Sequence, residues 1–386
     1  MKKFLLTAMI IFFFIVSPEI GFPIDMDVQT GLHSEWWKDN ADTRARQSYV
    51  PLRIEGRQDD FSFRILTAYV DTRIDPPGGE ARSLNHLLDT KINFSYEVLG
   101  KLPFDMLLGL DFNIPTGKTD LDDRDLALIM DPDLISINNF GEGFNVNPTL
   151  TFTKEWGNWV AGIGSGYVFR GNYDFSRTLR DFDPGDIANM NAQIRYDFST
   201  NWHARLFGGF AWFAEEEWKR SFVGKERYQE GSFSLVGSGV SYTQEKWDAG
   251  FTLRSIFRQK SKFQDGGRFA TEDRNSHGDE WVGDLSFRYF LTGKTTLRSY
   301  LQGLLITRND YPPSPLFIGG RPNRSVGQRE KFSLGLGINR TISPHFEGVL
   351  YTRGFLMHDE KALFPETREE RHYKGIAVGL QLIARF

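Results

Sequence analysis

The sequence predicts an all-β protein: a transmembrane antiparallel up-and-down β-barrel of sixteen strands, with fourteen as the alternative count. Three observations predict it. The last stretch, Tyr373 to Phe386, places Ile376, Val378, Leu380, Leu382 and Phe386 at every second position, with Gly375, Ala377, Gly379, Gln381 and Arg385 between them. Alternate side chains of a strand point to opposite faces, so one face is apolar and the other small or polar. The rest of the chain repeats that pattern in pairs of segments with very short turns inside each pair and longer polar stretches between pairs. The only long apolar run is N-terminal, Phe4 to Val16, and it is too short to cross a bilayer as a helix.

Composition sets the bounds. The 386 residues contain no cysteine, which excludes disulfides, thiolate metal sites and a cysteine-linked lipid anchor. Aromatic residues make up 15% and there are 38 glycines, a mixture suited to sheets with tight turns. A formal net charge of −4 gives no case for a nucleic-acid partner, and none is expected. The mean hydropathy of −0.39 looks soluble, yet a membrane barrel carries one polar residue for every apolar one along its strands. Met1, Lys2 and Lys3 before the apolar run, and Ser17-Pro18 after it, read as a signal peptide over 1–21 with an ill-defined cleavage site. An uncleaved anchor helix is the alternative. The remainder, 22–386, reads as one barrel domain.

Taken in order, the expected strands cover 26–37, 49–58, 60–73, 83–99, 102–117, 143–156, 159–174, 186–199, 202–218, 230–244, 247–263, 277–292, 295–311, 326–342, 345–360 and 369–386. Turn residues such as Gly100-Lys101, Gly157-Asn158, Thr200-Asn201 and Gly293-Lys294 join the pairs. All short turns then fall on one side and the long loops on the other, as in outer-membrane barrels. A soluble propeller shares the repeat length but does not explain this asymmetry. Phe332, Leu334, Leu336 and Ile338 opposing Ser333, Gly335, Gly337 and Asn339 show the alternation well. Trp156, Trp159, Trp202 and Trp247 beside short turns, and Tyr173, Phe175, Trp218, Trp281 and Tyr311 on the other side, are expected to form two interfacial girdles.

If the apolar stripes meet lipid, Arg53, Arg64, Arg170, Arg195, Arg205, Arg254, Arg258, Arg288, Arg298, Arg353 and Arg385 face the interior. Charge rings of this kind set the selectivity of pores. Equally, the arginines pair with inward Asp111, Asp197, Asp284 and Glu347 and brace the wall. The longest loop, 118–142, carries Asp120, Asp122, Asp123, Asp125, Asp131 and Asp133, then an apolar patch, Leu134-Ile135-Ser136-Ile137. Arg124 stands where an EF-hand loop needs an oxygen ligand, so calcium binding is not expected, nor is any other metal or cofactor. Gly162, Gly164 and Gly166 miss the dinucleotide spacing and suit a crowded interior. The seven histidines show no metal-ligand spacing; His86 and His277 lie near the outer rim with no partnering serine, and no enzyme activity is expected.

The terminal strand resembles the closing strand of Gram-negative outer-membrane β-barrels, which ends in Phe. The resemblance implies an outer-membrane location, contact with membrane lipid and recognition by the barrel-assembly machinery. Strand count and loop position resemble general porins, in which the third loop enters the lumen; this implies a constriction formed by Asp120, Asp122, Asp123 and Asp125 opposite part of the arginine wall. Leu110 to Lys118, reading LDFNIPTGK, is similar to a stretch in outer-membrane proteins of the phenol-degradation (MetA-pathway) type, associated with uptake of aromatic or hydrophobic compounds. The expected function is a channel for passive diffusion of small polar or charged solutes. A carrier for hydrophobic or aromatic compounds, and a non-conducting structural or adhesive barrel, are the alternatives. At the expected seam, Gln381 and Arg385 should face the lumen beside Asp27 or Gln29.

Overall fold

The computed structural model describes residues 24–220, 224–265, 268–272, 275, 278–308, 327–361 and 369–386. The signal-peptide segment 1–21, His277 and Tyr311 lie outside them. In chain order the strands are β1 (Asp25–Asp39), β2 (Arg44–Gln58), β3 (Phe61–Asp75), β4 (Arg82–Leu87), β5 (Thr90–Val98), β6 (Asp105–Ile114), β7 (Asn145–Trp156) and β8 (Trp159–Arg170). There follow β9 (Leu179–Asp183), β10 (Ile187–Asp197), β11 (Trp202–Phe213), β12 (Glu216–Arg220), β13 (Gly224–Gln229), β14 (Phe233–Thr243) and β15 (Trp247–Arg258). The last are β16 (Lys262–Asp265), β17 (Arg268–Thr271), β18 (Glu280–Thr292), β19 (Thr295–Ile306), β20 (Arg329–Ser343), β21 (Phe346–Asp359) and β22 (Arg371–Arg385). One helical turn, α1 (Asp123–Leu126), interrupts the loop between β6 and β7.

Each strand of the main sheet pairs antiparallel with its chain neighbour, and β22 pairs with β1, so the sheet closes on itself. The sheet has 17 segments, but β4 and β5 are successive halves of one wall strand, both paired with β3, which leaves 16 staves. Closure removes every edge, the condition for putting a sheet into lipid. At the seam Asp27 lies opposite Arg385 and Gly31 opposite Gln381, so the polar face of the last strand meets the polar face of the first. On the other face Leu380 lies between Leu32 and Leu350, all three exposed. Ile376, Val378 and Phe386 share that outer surface and are also exposed.

Trp156, Trp159, Trp202 and Trp281 stand exposed on the outer face near the strand ends. Trp218 and Phe175 depart from the expected outer girdle. Both are buried, in an apolar cluster with Leu121, Leu128, Phe140 and Phe182 contributed by the outer loops. The Trp218 indole N–H donates to Glu226, which satisfies its polar end away from any interface. These loops extend the wall outward as a second sheet of 5 short strands, β9, β12, β13, β16 and β17. Strand limits also differ from expectation in several places, two of them with a clear local cause. β2 starts at Arg44, because the Asp39 carboxylate accepts from the Ala41 and Thr43 amides and reverses the chain at once. The fourth stave breaks at Leu88-Asp89, where Asp89 turns away to anchor the long loop.

Inside the wall, glycines sit beside aromatic rings. The ring of Tyr351 lies over Gly379 and that of Tyr300 over Gly335, each across one strand pair. A side chain at either glycine would enter the ring, so the small residue lets the aromatic lie flat against the wall.

Candidate pore and its constriction

Register fixes which side chains share the interior, since directly opposite residues of paired strands lie on one face. Arg195 stands opposite Arg205, and Arg288 opposite Arg298. Arg254 lies opposite Gly237 and Arg353 opposite Gly335. With Arg53, Arg64, Arg170, Arg258 and Arg385, all eleven arginines lie on the inner face.

Most are tied to acids of the same wall. Arg53 and Arg64 converge on Glu55. Arg195 pairs with Asp197 at 3.0 Å and Arg288 with Asp248 at 2.6 Å. Arg258 lies 3.2 Å from Glu230 and 3.4 Å from Glu280. Arg254 reaches Asp284 only at 4.0 Å, and Arg385 joins Glu347 at 2.9 Å and Asp27 at 3.8 Å. Asp111 instead accepts from Asn93 and Asn147. Arg170 donates to the Pro184 carbonyl at 2.9 Å near Glu216. Arg205 packs over the Phe207 ring and reaches the Thr252 hydroxyl at 3.4 Å. Neither Arg205 nor Arg298 has an acid within ion-pair distance among the described residues. The side chains of Arg53, Arg64, Arg195, Arg288 and Arg385 are 40–52% exposed, although they lie on the inner face. A charged lining that open requires water.

The β6–β7 loop runs inward from the rim. Asp89 holds its two ends: the carboxylate accepts from the Gly117 amide at 2.7 Å, the Glu142 amide at 2.7 Å and the Asn113 side-chain N–H at 2.7 Å. Asp122 caps α1 by accepting from the Arg124 and Asp125 amides, and Asp125 returns a capping-box contact to the Asp122 amide. Asp125 also pairs with Lys118 at 2.8 Å, and Asp122 lies 3.9 Å from Arg177 of the next outer loop. Asp120 and Asp123 are exposed. None of these four acids lies within ion-pair distance of the eleven wall arginines.

Beyond α1 the loop crosses to the far wall. Met130, Leu134 and Ile135 pack with Trp37, Ala45, Phe355 and Met357, from β1, β2 and β21. Polar contacts lock the same face. Gln47 donates to the Ile137 carbonyl at 2.7 Å and accepts from its amide at 3.0 Å. Glu35 accepts from the Ser136 amide and hydroxyl, at 2.7 and 2.6 Å, and lies 3.3 Å from Arg353. Arg329 joins Asp131 at 2.6 Å, Asp133 at 2.9 Å and Asp359 at 2.6 Å, with its own side chain only 4% exposed. Lys331 donates to the Asp133 carbonyl. Four of these partners, Arg329, Lys331, Glu35 and Gln47, were not singled out in the sequence. The apolar patch in an otherwise acidic loop was the available signal that the loop docks; its hydrogen-bonded partners on the far wall lie 90 to 198 residues away.

The closed barrel, the apolar outer face with tryptophans near its borders and the wet charged interior define a porin-like β-barrel of the bacterial outer membrane. Among the described residues no helix is long and apolar enough to cross a membrane. No protein-family model matches the chain, and no curated protein sequence matches it. Solved structures do. A loop-deletion mutant of OmpT, an outer membrane protein of Vibrio cholerae, matches with 10% identity and a TM-score of 0.43 over 93% of this chain and 98% of its own. An anion-selective porin from Comamonas acidovorans matches with 12% identity and a TM-score of 0.43 over 94% and 99%. A deletion mutant of the monoaromatic hydrocarbon channel TodX matches with 10% identity and a TM-score of 0.44 over 95% and 91%.

Proposed function

We propose that the protein is an outer-membrane channel for passive diffusion of small polar or charged solutes. The observation that carries this reading is the arginine lining, five of whose side chains are about half exposed, shared between acids of the same wall, with the β6–β7 loop drawn across the interior above it. A solute passing such a lining exchanges water for mobile charged groups, and no bond is made or broken. The loop narrows the route, and its docking on β1, β2 and β20–β22 leaves the arginines of β8 to β19 as the opposite side of that route. Arg205 and Arg298, which lack an ion-pair partner among the described residues, are the cations with most to offer a passing anion.

The test is conductance of the purified protein in planar lipid bilayers. Ohmic single-channel steps are expected, and replacing Arg205 and Arg298 together by Gln should move the reversal potential in a salt gradient toward cation preference. A folded protein that conducts no ions but takes up an aromatic solute saturably would replace this reading with a hydrophobic carrier. Silence in both assays would leave a structural or adhesive barrel.

A further inference from the structure

On the outer surface, away from the lumen, the top of β21 meets the top of β22. His358 and His372 stand directly opposite each other there, and Glu370 lies just before β22. The two imidazole rings stack, with centroids 4.7 Å apart and planes 10° from parallel. Both Nε2 atoms converge on one oxygen of Glu370, His358 at 2.8 Å and His372 at 3.2 Å. We propose that His358, Glu370 and His372 form a binding site for a divalent transition-metal ion such as Zn2+ at the outer rim of the barrel.

The chemistry of the donors selects the ion. Two imidazole nitrogens and one carboxylate suit zinc, copper or nickel, and exclude magnesium and calcium, which take oxygen ligands. All the ligand atoms lie within 4.8 Å of one another. Around a tetrahedral zinc, with metal–ligand bonds near 2.0–2.1 Å, neighbouring donor atoms are about 3.4 Å apart. The observed oxygen–nitrogen separations of 2.8 and 3.2 Å are about 0.6 and 0.2 Å shorter than that, so the side chains must open slightly to admit the ion. Three ligands leave the fourth position to water. Both histidines line a cleft with Glu330, which lies opposite His358 on β20. The side chains are accessible for metal entry: His358 is 34% exposed and His372 58%.

The backbone holds the site in shape. Asn40, in the turn between β1 and β2, donates its backbone N–H to the His372 carbonyl at 3.1 Å, and its side-chain Oδ1 accepts from the His372 amide at 3.2 Å. Its side chain also donates to the Glu370 carbonyl at 3.2 Å. Asn40 is therefore a positioning residue, fixing the backbone of two of the three ligands from a neighbouring turn. A bound ion would clip β21 to β22 on either side of the 360–370 connection.

Titration of the full-length protein in detergent with zinc chloride at neutral pH, followed by calorimetry, tests this. One zinc per chain is expected, weakened at least tenfold by His358→Ala, by His372→Ala or by the shape-preserving Glu370→Gln, and unchanged by His345→Ala. Cobalt should give the visible absorption of a low-symmetry nitrogen–oxygen site in the native protein and lose it in the His358→Ala/His372→Ala double variant. Absence of a one-to-one isotherm in the native protein would overturn the proposal. So would an isotherm or cobalt spectrum that survives the double substitution. The three side chains lie on the surface, and circular dichroism confirms that each variant remains a barrel.

Discussion

Arg329 is the centre of a four-residue charge cluster. Its guanidinium faces Asp131 and Asp133 from the loop and Asp359 from the adjacent strand, in a site almost closed to solvent. Removing one partner of a buried ionic cluster costs more than the cluster contributes, because the charges left behind stay desolvated. Arg329→Ala should therefore cost about 3–5 kcal/mol, and the loop rather than the barrel should bear it. The expected result is a larger single-channel conductance and new protease cleavage within 127–137, with the barrel intact by circular dichroism. A smaller change is expected at Gly379. A methyl group there meets the Tyr351 ring, whose hydroxyl also contacts His33 at 2.7 Å. Gly379→Ala should destabilise by about 1–3 kcal/mol, read from urea unfolding in lipid vesicles, as expected for overpacking.

At the scale of elements, the β6–β7 loop behaves as a strut with three fixed points: its root on Asp89, the capped turn α1, and the docked stretch from Met130 to Ile137. The capped turn responds to pH. The Asp122 carboxyl is held below the usual carboxylate range, first by its hydrogen bond from the Asp125 amide, then by the Arg124 amide and nearby Arg177. A depressed carboxyl contributes stability that is complete above its unfolded pKa and lost as pH falls through its folded value. Amide exchange at Arg124 and Asp125 should accordingly be slow near neutral pH and lose protection below about pH 4, when normalised for intrinsic exchange. The loop and its apolar patch are legible in the sequence, because acids followed by Leu-Ile-Ser-Ile violate the pattern of a solvated loop. The porin resemblance implies that Asp120, Asp122, Asp123 and Asp125 stand opposite the arginine wall, whereas Asp122 and Asp125 hold the turn together. Local capping is decided over three residues, and charge counting does not see it.

At the scale of the whole molecule, the staves were legible because period-two alternation is imposed by lipid on one side and water on the other. The seam was legible for the same reason: Asp27 meets Arg385 in register. The outer sheet of β9, β12, β13, β16 and β17 was not, since those strands lie beyond the membrane and alternate against no fixed pair of environments. The orientation makes a sharp prediction. Leu380→Arg puts a charge on the lipid face and should cost about 2–4 kcal/mol near the bilayer midplane, while Gln381→Arg, one residue along, faces the lumen and should cost little. Refolding yield into vesicles of the two variants measures the difference.

The docking surface of the loop has a consequence for the order of events during biogenesis. Asp131 and Arg329 are 198 residues apart in the chain, and the receiving surface combines the first two staves with the last three. That surface exists only once β22 has joined β1. A partly threaded intermediate has nothing for Met130, Leu134 and Ile135 to rest on, so the interior stays vacant until the wall is complete. Loop docking is thus a late checkpoint: its protection from protease should appear after the wall's own strands are protected, and it times the moment at which the finished barrel becomes narrow.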